Sequence, residues 1–184
     1  ATSYESIEKL EGAAGDKNTY TLSMTENAVT ETNTSVSPSI TEITQVNTGV
    51  VNAHDWTIKK DGTWSWTQDI TIGNNGYGSN KVLVQSGTWS FVGKTKGDDF
   101  KKNERVLFTV LTSDLKQVAT ENYVIMNTAE NHETYTAGDK TMIYTITESK
   151  KDKLEMEQEA KHVTTYDSQV STVSLSRKIT LEGK

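Results

Sequence analysis

The feature that most constrains this chain is a period of two. Leu154, Met156, Gln158 and Ala160 alternate with Glu155, Glu157 and Glu159. Successive side chains of a strand point to opposite faces, so this run fits a half-buried strand and not an amphipathic helix. The same alternation recurs. Tyr20, Leu22 and Met24 oppose Thr21, Ser23 and Thr25, and Trp64, Trp66, Gln68, Ile70 and Ile72 share a face. So do Leu83, Gln85, Gly87, Trp89 and Phe91, then Met142, Tyr144 and Ile146, then Val173, Leu175, Arg177, Ile179 and Leu181. Composition agrees. The 184 residues include 29 threonines and 15 valines but one proline, Pro38. β-Branched side chains are stiff at χ1 and suit a pleated surface. A threonine-rich disordered stalk would carry many prolines and few aromatics; this chain has four Trp, seven Tyr and three Phe.

Turn signals separate the runs. Asp61-Gly62 follows the face formed by His54, Trp56 and Ile58 and marks a hairpin. Gly73–Asn80 is a Gly/Asn cluster, and Lys150–Lys153 is a charged turn. Arg105–Thr112, with Val106, Phe108 and Val110 on one face, and Gln117–Asn127 read as further strands. Eight strands are expected from residue 54 onward. Tyr20–Met24 and Ile40–Val46 are weaker candidates before it. Ser3–Leu10 reads as a short helical turn ended by Glu11–Gly15. Asn33–Pro38 and Thr128–Asp139 read as irregular. Short turns between strands predict an antiparallel meander that removes its edges by closing into a barrel of eight to ten strands. A β-sandwich with Greek-key crossovers is the alternative. Residues 1–184 are expected to form one domain, with 1–18 a flexible or short helical tether. Residues 1–53 carry seven acids and two lysines and are either a tether or part of the sheet.

Several function classes are disfavoured. A formal charge of −6 and a pI of about 5.1 leave no basic face for a nucleic-acid backbone. Without cysteine there are no disulfides, thiolate metal sites or cysteine nucleophiles. No apolar run approaches the ~20 residues of a spanning helix, and no signal peptide is legible. No serine-nucleophile motif, phosphate loop or dinucleotide fingerprint is present. No enzyme activity and no cofactor are expected.

Two stretches point to a family when taken in order. Lys60-Asp-Gly-Thr-Trp-Ser-Trp66 is followed by Ser86-Gly-Thr-Trp-Ser-Phe-Val-Gly-Lys94, a charged loop and Lys101-Lys-Asn-Glu-Arg105. Lys151-Asp-Lys-Leu-Glu-Met-Glu157 comes later. Over residues 56–160 this resembles the lipocalin-like, calycin-type domains of bacterial surface lipoproteins. The family's early Gly-x-Trp is missing, since Leu10-Glu-Gly12 has no Trp after it. No lipobox cysteine is present, as expected of a mature domain trimmed behind its lipid anchor. The resemblance implies an exported barrel in the bacterial cell envelope, tethered through an anchor this chain lacks. It implies no particular ligand.

The candidate ligand-binding residues are Trp56, Trp64, Trp66, Trp89, Phe91, Tyr144 and Arg177. The aromatics could line a cavity for a small apolar or amphipathic molecule, fill the core, or form an exposed platform for sugars. Arg177 lies on an apolar face, where it could meet a ligand carboxylate or cap the barrel mouth. Asp98, Asp99 and Glu104 could hold calcium but lack EF-hand spacing, and a solvated loop is the plainer reading. His54, His132 and His162 are scattered without a metal-binding pair. Glu155, Glu157 and Glu159 read as an outward solvated face. The leading expectation is noncatalytic ligand binding in the barrel, with a small hydrophobic ligand or an envelope protein as partner. The alternative is a structural or adaptor domain with a solid barrel that contacts another protein through its loops.

Overall fold

A computed structural model of the chain describes residues 3–74, 76–92, 102–122, 124–166 and 169–183. These residues form eleven strands: β1 (Ser3–Glu11), β2 (Lys17–Met24), β3 (Ala28–Ser37), β4 (Ile40–Ile58), β5 (Thr63–Asn74), β6 (Tyr77–Phe91), β7 (Arg105–Glu121), β8 (Val124–Thr134), β9 (Thr141–Lys150), β10 (Lys153–Tyr166) and β11 (Gln169–Glu182). All pairings are antiparallel. β1 through β7 pair in sequence order, β9 pairs β7 and β10, and β11 pairs β10 and β1. The meander therefore closes on itself, and the sandwich alternative falls.

Ten strand positions make the wall, with one strand to spare. Arg105–Thr109 of β7 pairs with β9, while Thr112–Glu121 pairs with β8. β8 and β9 both descend along β7, so they are two pieces of one wall position. Residues 135–140 loop out between them. The excursion is pinned at both ends, because Tyr135 N–H donates to Leu111 O at 2.9 Å and Val110 N–H donates to Lys140 O at 2.9 Å. β9 pairs with β10 only as far as Glu157. Above that point β10 keeps a ladder with β11 alone and β8 a ladder with β7 alone. The wall is closed in its lower half, at the Lys59–Gly62 turn, and unzipped between β8 and β10 in its upper half, near the Gly12–Asp16 turn.

Four local expectations are corrected. Ser3–Leu10 is not a helical turn but strand β1, which joins β2 to β11 and seals the barrel. The first residues described, 3–18, are wall and not a tether, and of the two readings for residues 1–53 the one that makes them part of the sheet holds. Asn33–Ser37 and Thr128–Thr134 are not irregular but the ends of β3 and β8. Ile40–Val46 and His54–Ile58 belong to one strand, β4. Asp98 and Asp99, weighed with Glu104 as calcium ligands against the plainer solvated loop, lie outside the described residues.

Register assigns the inner face. Tyr4, Leu22, Met24, Val29, Trp64, Trp66, Ile70, Val106, Phe108, Tyr144, Ile146, Met156 and Ile179 are buried. Outward residues of β10 and β11 carry charge instead: Lys178 pairs with Glu157 at 3.2 Å, and Lys153 with Glu155 at 2.7 Å and Glu148 at 2.8 Å.

Two inward glycines let the wall coil. A Cβ on Gly49 would stand 1.9 Å from Thr71 O, and one on Gly87 would stand 1.8 Å from Thr109 O. Gly87 lies at the register shift between β6 and β7, and Gly49 close to the shift between β4 and β5. Such irregularities sharpen the strand twist that closure needs.

Candidate functional site

The lower half of the interior is packed with aromatic rings. Trp56 stacks between Trp64 and Trp66, with ring centroids 5.4 and 5.3 Å apart and planes tilted by 20° and 24°. Phe108 meets Trp56 and Trp64 edge-on at 5.5 and 5.3 Å, and Tyr144 meets Phe108 at 5.9 Å. Each such pair adds about 0.5–1.5 kcal/mol beyond burial. Trp64 Nε1 donates to Thr109 O at 3.1 Å. Trp89 and Phe91 pack on each other at the lower rim, 5.6 Å apart, and Trp89 Nε1 donates to Lys59 O at 2.8 Å. The expected aromatic residues thus come together as a floor.

A polar belt crosses the middle. Gln85 Nε2 donates to Ser113 Oγ at 3.2 Å, and Gln68 Nε2 approaches Met24 Sδ at 3.4 Å. Arg177 reaches Gln158 Oε1 at 3.3 Å and Met142 Sδ at 3.8 Å. Its Nε is buried without a hydrogen-bond partner, as are Trp56 Nε1 and Trp66 Nε1. Burial pushes the Tyr144 phenol above its ordinary range, against the opposing pull of Arg177. His54 is enclosed by Tyr4 and Trp66, with centroids 5.6 and 6.1 Å away. Desolvation lowers its pKa to about 4, so the imidazole is neutral at neutral pH.

Above the belt the interior opens into a cavity of about 530 Å³, walled by inward residues of β2 through β7. Ile70 and Ile72 of β5 form its apolar side. Glu31 projects from β3 and is fixed by two donors, Tyr20 Oη at 2.7 Å and Asn47 Nδ2 at 3.1 Å. Tyr20 is held protonated, since burial and then the Glu31 carboxylate push its phenol above the ordinary range. Gln45 stands two residues from Asn47 on the same face of β4. Across the cavity, Gln117 Nε2 donates to Ser79 Oγ at 3.3 Å. Lys81, half-buried beside them, makes no ion pair among the described residues. Tyr77 Oη, at the rim, donates to Glu121 at 2.9 Å.

None of the seven expected site residues lines this cavity. Arg177 comes nearest in the register: Arg177, Ser6, Leu22, Glu31 and Asn47 form one cross-strand row. The cavity residues escaped sequence reading because polar side chains on alternate strand positions resemble a solvated face. A second hollow, of about 560 Å³, has Ile7, Lys9, Glu159, Lys161 and Ser176 in its lining, which the register puts on the outer wall. Among the described residues, no three His, Cys, Asp or Glu side chains converge to hold a metal ion. His132 pairs with exposed Asp114 on the outside of β7 and β8. In comparison with known proteins, the chain matches no family model, no curated protein and no solved structure.

Proposed function

We propose that this chain is a noncatalytic binding barrel of lipocalin-like type that takes a small amphipathic ligand into its upper half. The observation that carries the reading is the cavity of about 530 Å³ inside the wall, above a stack of aromatic rings. Small-molecule pockets span roughly 300–1,000 Å³ and combine apolar surface with a few placed polar groups. Ile70 and Ile72 supply the first; Glu31, Asn47 and Lys81 supply the second. The tryptophans serve by holding the wall rather than by touching ligand. Arg177, whose Nε is a buried donor without a partner among the described residues, lies outside the cavity lining. The motif resemblance supports an exported, envelope-tethered setting.

One observation favours a second reading, an adaptor domain. Among the described residues the upper edges of β8 and β10 are unpaired, and β8 exposes Val124, Ile125 and Met126. Unpaired edges are templates for another chain. Native mass spectrometry of the protein purified from its own host separates the two. A mass excess lost on denaturation is expected if the barrel carries ligand. A bare monomer mass, with no change in cavity-residue NMR shifts on extraction with organic solvent, would overturn the binding reading and leave the adaptor.

A further inference from the structure

We infer that the ligand of the upper cavity is a neutral saccharide, held with its hydroxyls on Glu31 and the flanking amides and its apolar face on Ile70 and Ile72. The inference rests on the binding-barrel reading above and names the chemistry of the same site.

The argument begins with what the lining asks of an occupant. Its charged groups are one carboxylate, Glu31, and one ammonium, Lys81. They balance, so the cavity carries no net preference for an anion or a cation. A fatty acyl chain entering here would strip water from both charges, from Gln45 and from Asn47, and return no hydrogen bonds. Burying such groups unpaired is costly, and more so when they are charged. An apolar ligand is therefore opposed by the same walls that would surround it.

Polyhydroxylated rings meet the opposite terms. Each hydroxyl both donates and accepts, and side-chain amides and carboxylates offer acceptors and donors in fixed planes. Glu31 is preset for this role. A carboxylate accepts about four hydrogen bonds, and Tyr20 and Asn47 use one on each oxygen. Both oxygens keep a free lone pair, on a side chain that cannot swing away. Amides stand on two separate strands of the lining, Gln45 and Asn47 on β4 and Gln117 on β7, so hydroxyls at more than one position of a ring find a partner. Ile70 and Ile72 give the C–H face an apolar bed, and Tyr20 adds an aromatic side. Lys81 supplies a further donor to a hydroxyl or ring oxygen.

The test is a two-dimensional amide NMR titration of the whole chain. One series uses glucose, galactose, mannose, N-acetylglucosamine and their disaccharides; a parallel series uses palmitate and a neutral detergent; a glycan microarray extends the first. We expect a saccharide to shift amides of residues 45–47 and 79–81 while those around Trp64 and Trp66 stay still. Glu31→Gln should weaken that saccharide about tenfold or more, since a charged hydrogen bond is worth about 1.5–3 kcal/mol. Lys81→Met should weaken it less, and both variants should keep the wild-type near-ultraviolet circular dichroism. If palmitate or detergent shifts the cavity amides and no saccharide does, the ligand class is overturned and the binding barrel stands. If nothing in either series or on the array binds, both fall.

Discussion

At the scale of single residues, the interior is organised by what each side chain does with its polar atoms. Trp64 hands its indole N–H to Thr109 O, the same carbonyl that a Cβ on Gly87 would strike. The Gly-Thr-Trp stretch at 87–89 is therefore a packing device: glycine lets the neighbouring strand approach, and Trp89 then locks onto the Lys59–Gly62 turn. His54 is a different case. It is buried among rings, and desolvation holds its pKa near 4 against an ordinary 6.5. The folded state thus refuses a proton that the unfolded chain accepts. Stability is complete above pH 6.5 and is lost as pH falls toward 4, by up to about 3 kcal/mol. Denaturant unfolding at pH 7 and pH 4 should show wild type losing about 3 kcal/mol more than His54→Gln, whose amide does not titrate. Parallel losses in the two proteins would show that His54 is protonated in the folded state.

At the scale of elements, the wall is two structures in one. Lower segments pack an apolar inner face and are paired on both sides. β8 and the upper part of β10 are paired on one side, and every described residue of β8 except Glu133 is exposed. Hydrogen exchange should follow this division. Amides of β8 should exchange by local opening, roughly tenfold or more faster than those of Arg105–Thr109, which have β6 and β9 on either side. Equal protection would mean that the upper edges are covered in solution. The same division explains what the sequence shows and hides. Where the inner face is apolar, as at Trp64 and Trp66 or Met142 and Tyr144, a period of two is plain. Where the inner face turns polar, it vanishes. β3 points Val29 inward, then Glu31, Asn33 and Ser35; β8 points Asn127, Ala129, Asn131 and Glu133. Both faces are then hydrophilic and the segment reads as a loop. β1 was obscured similarly, because Tyr4 and Leu10 are the apolar members of an inner row that also holds Ser6 and Glu8. The floor was legible in the sequence and the cavity was not, since hydrophobic periodicity is blind to a strand whose inner face is polar.

At the scale of the whole molecule, everything depends on a seam between the chain's two ends. Ser3 faces Thr180 and Glu11 faces Thr172, so the contacts that close the barrel are among the most distant in sequence. Their loop entropy must be overcome before any of them stabilises the fold, which predicts folding in the millisecond-to-second range of high-contact-order β proteins. The seam has no substitute. Without β1, Tyr4 leaves the His54–Trp66 cluster, and β2 and β11 become bare edges flanking Met24 and Ile179, both buried in the closed form. Two long edges beside exposed apolar surface favour association over a monomeric sheet. A chain lacking residues 1–11 should therefore lose near-ultraviolet circular dichroism from the tryptophan stack and sediment as aggregate. Adding a synthetic peptide of residues 1–16 during refolding should return part of the signal, because its inner and outer faces match both edges. A truncated chain that stays monomeric with native tryptophan fluorescence would show that the wall holds its curvature without the seam, and that closure is a consequence of the fold rather than its cause.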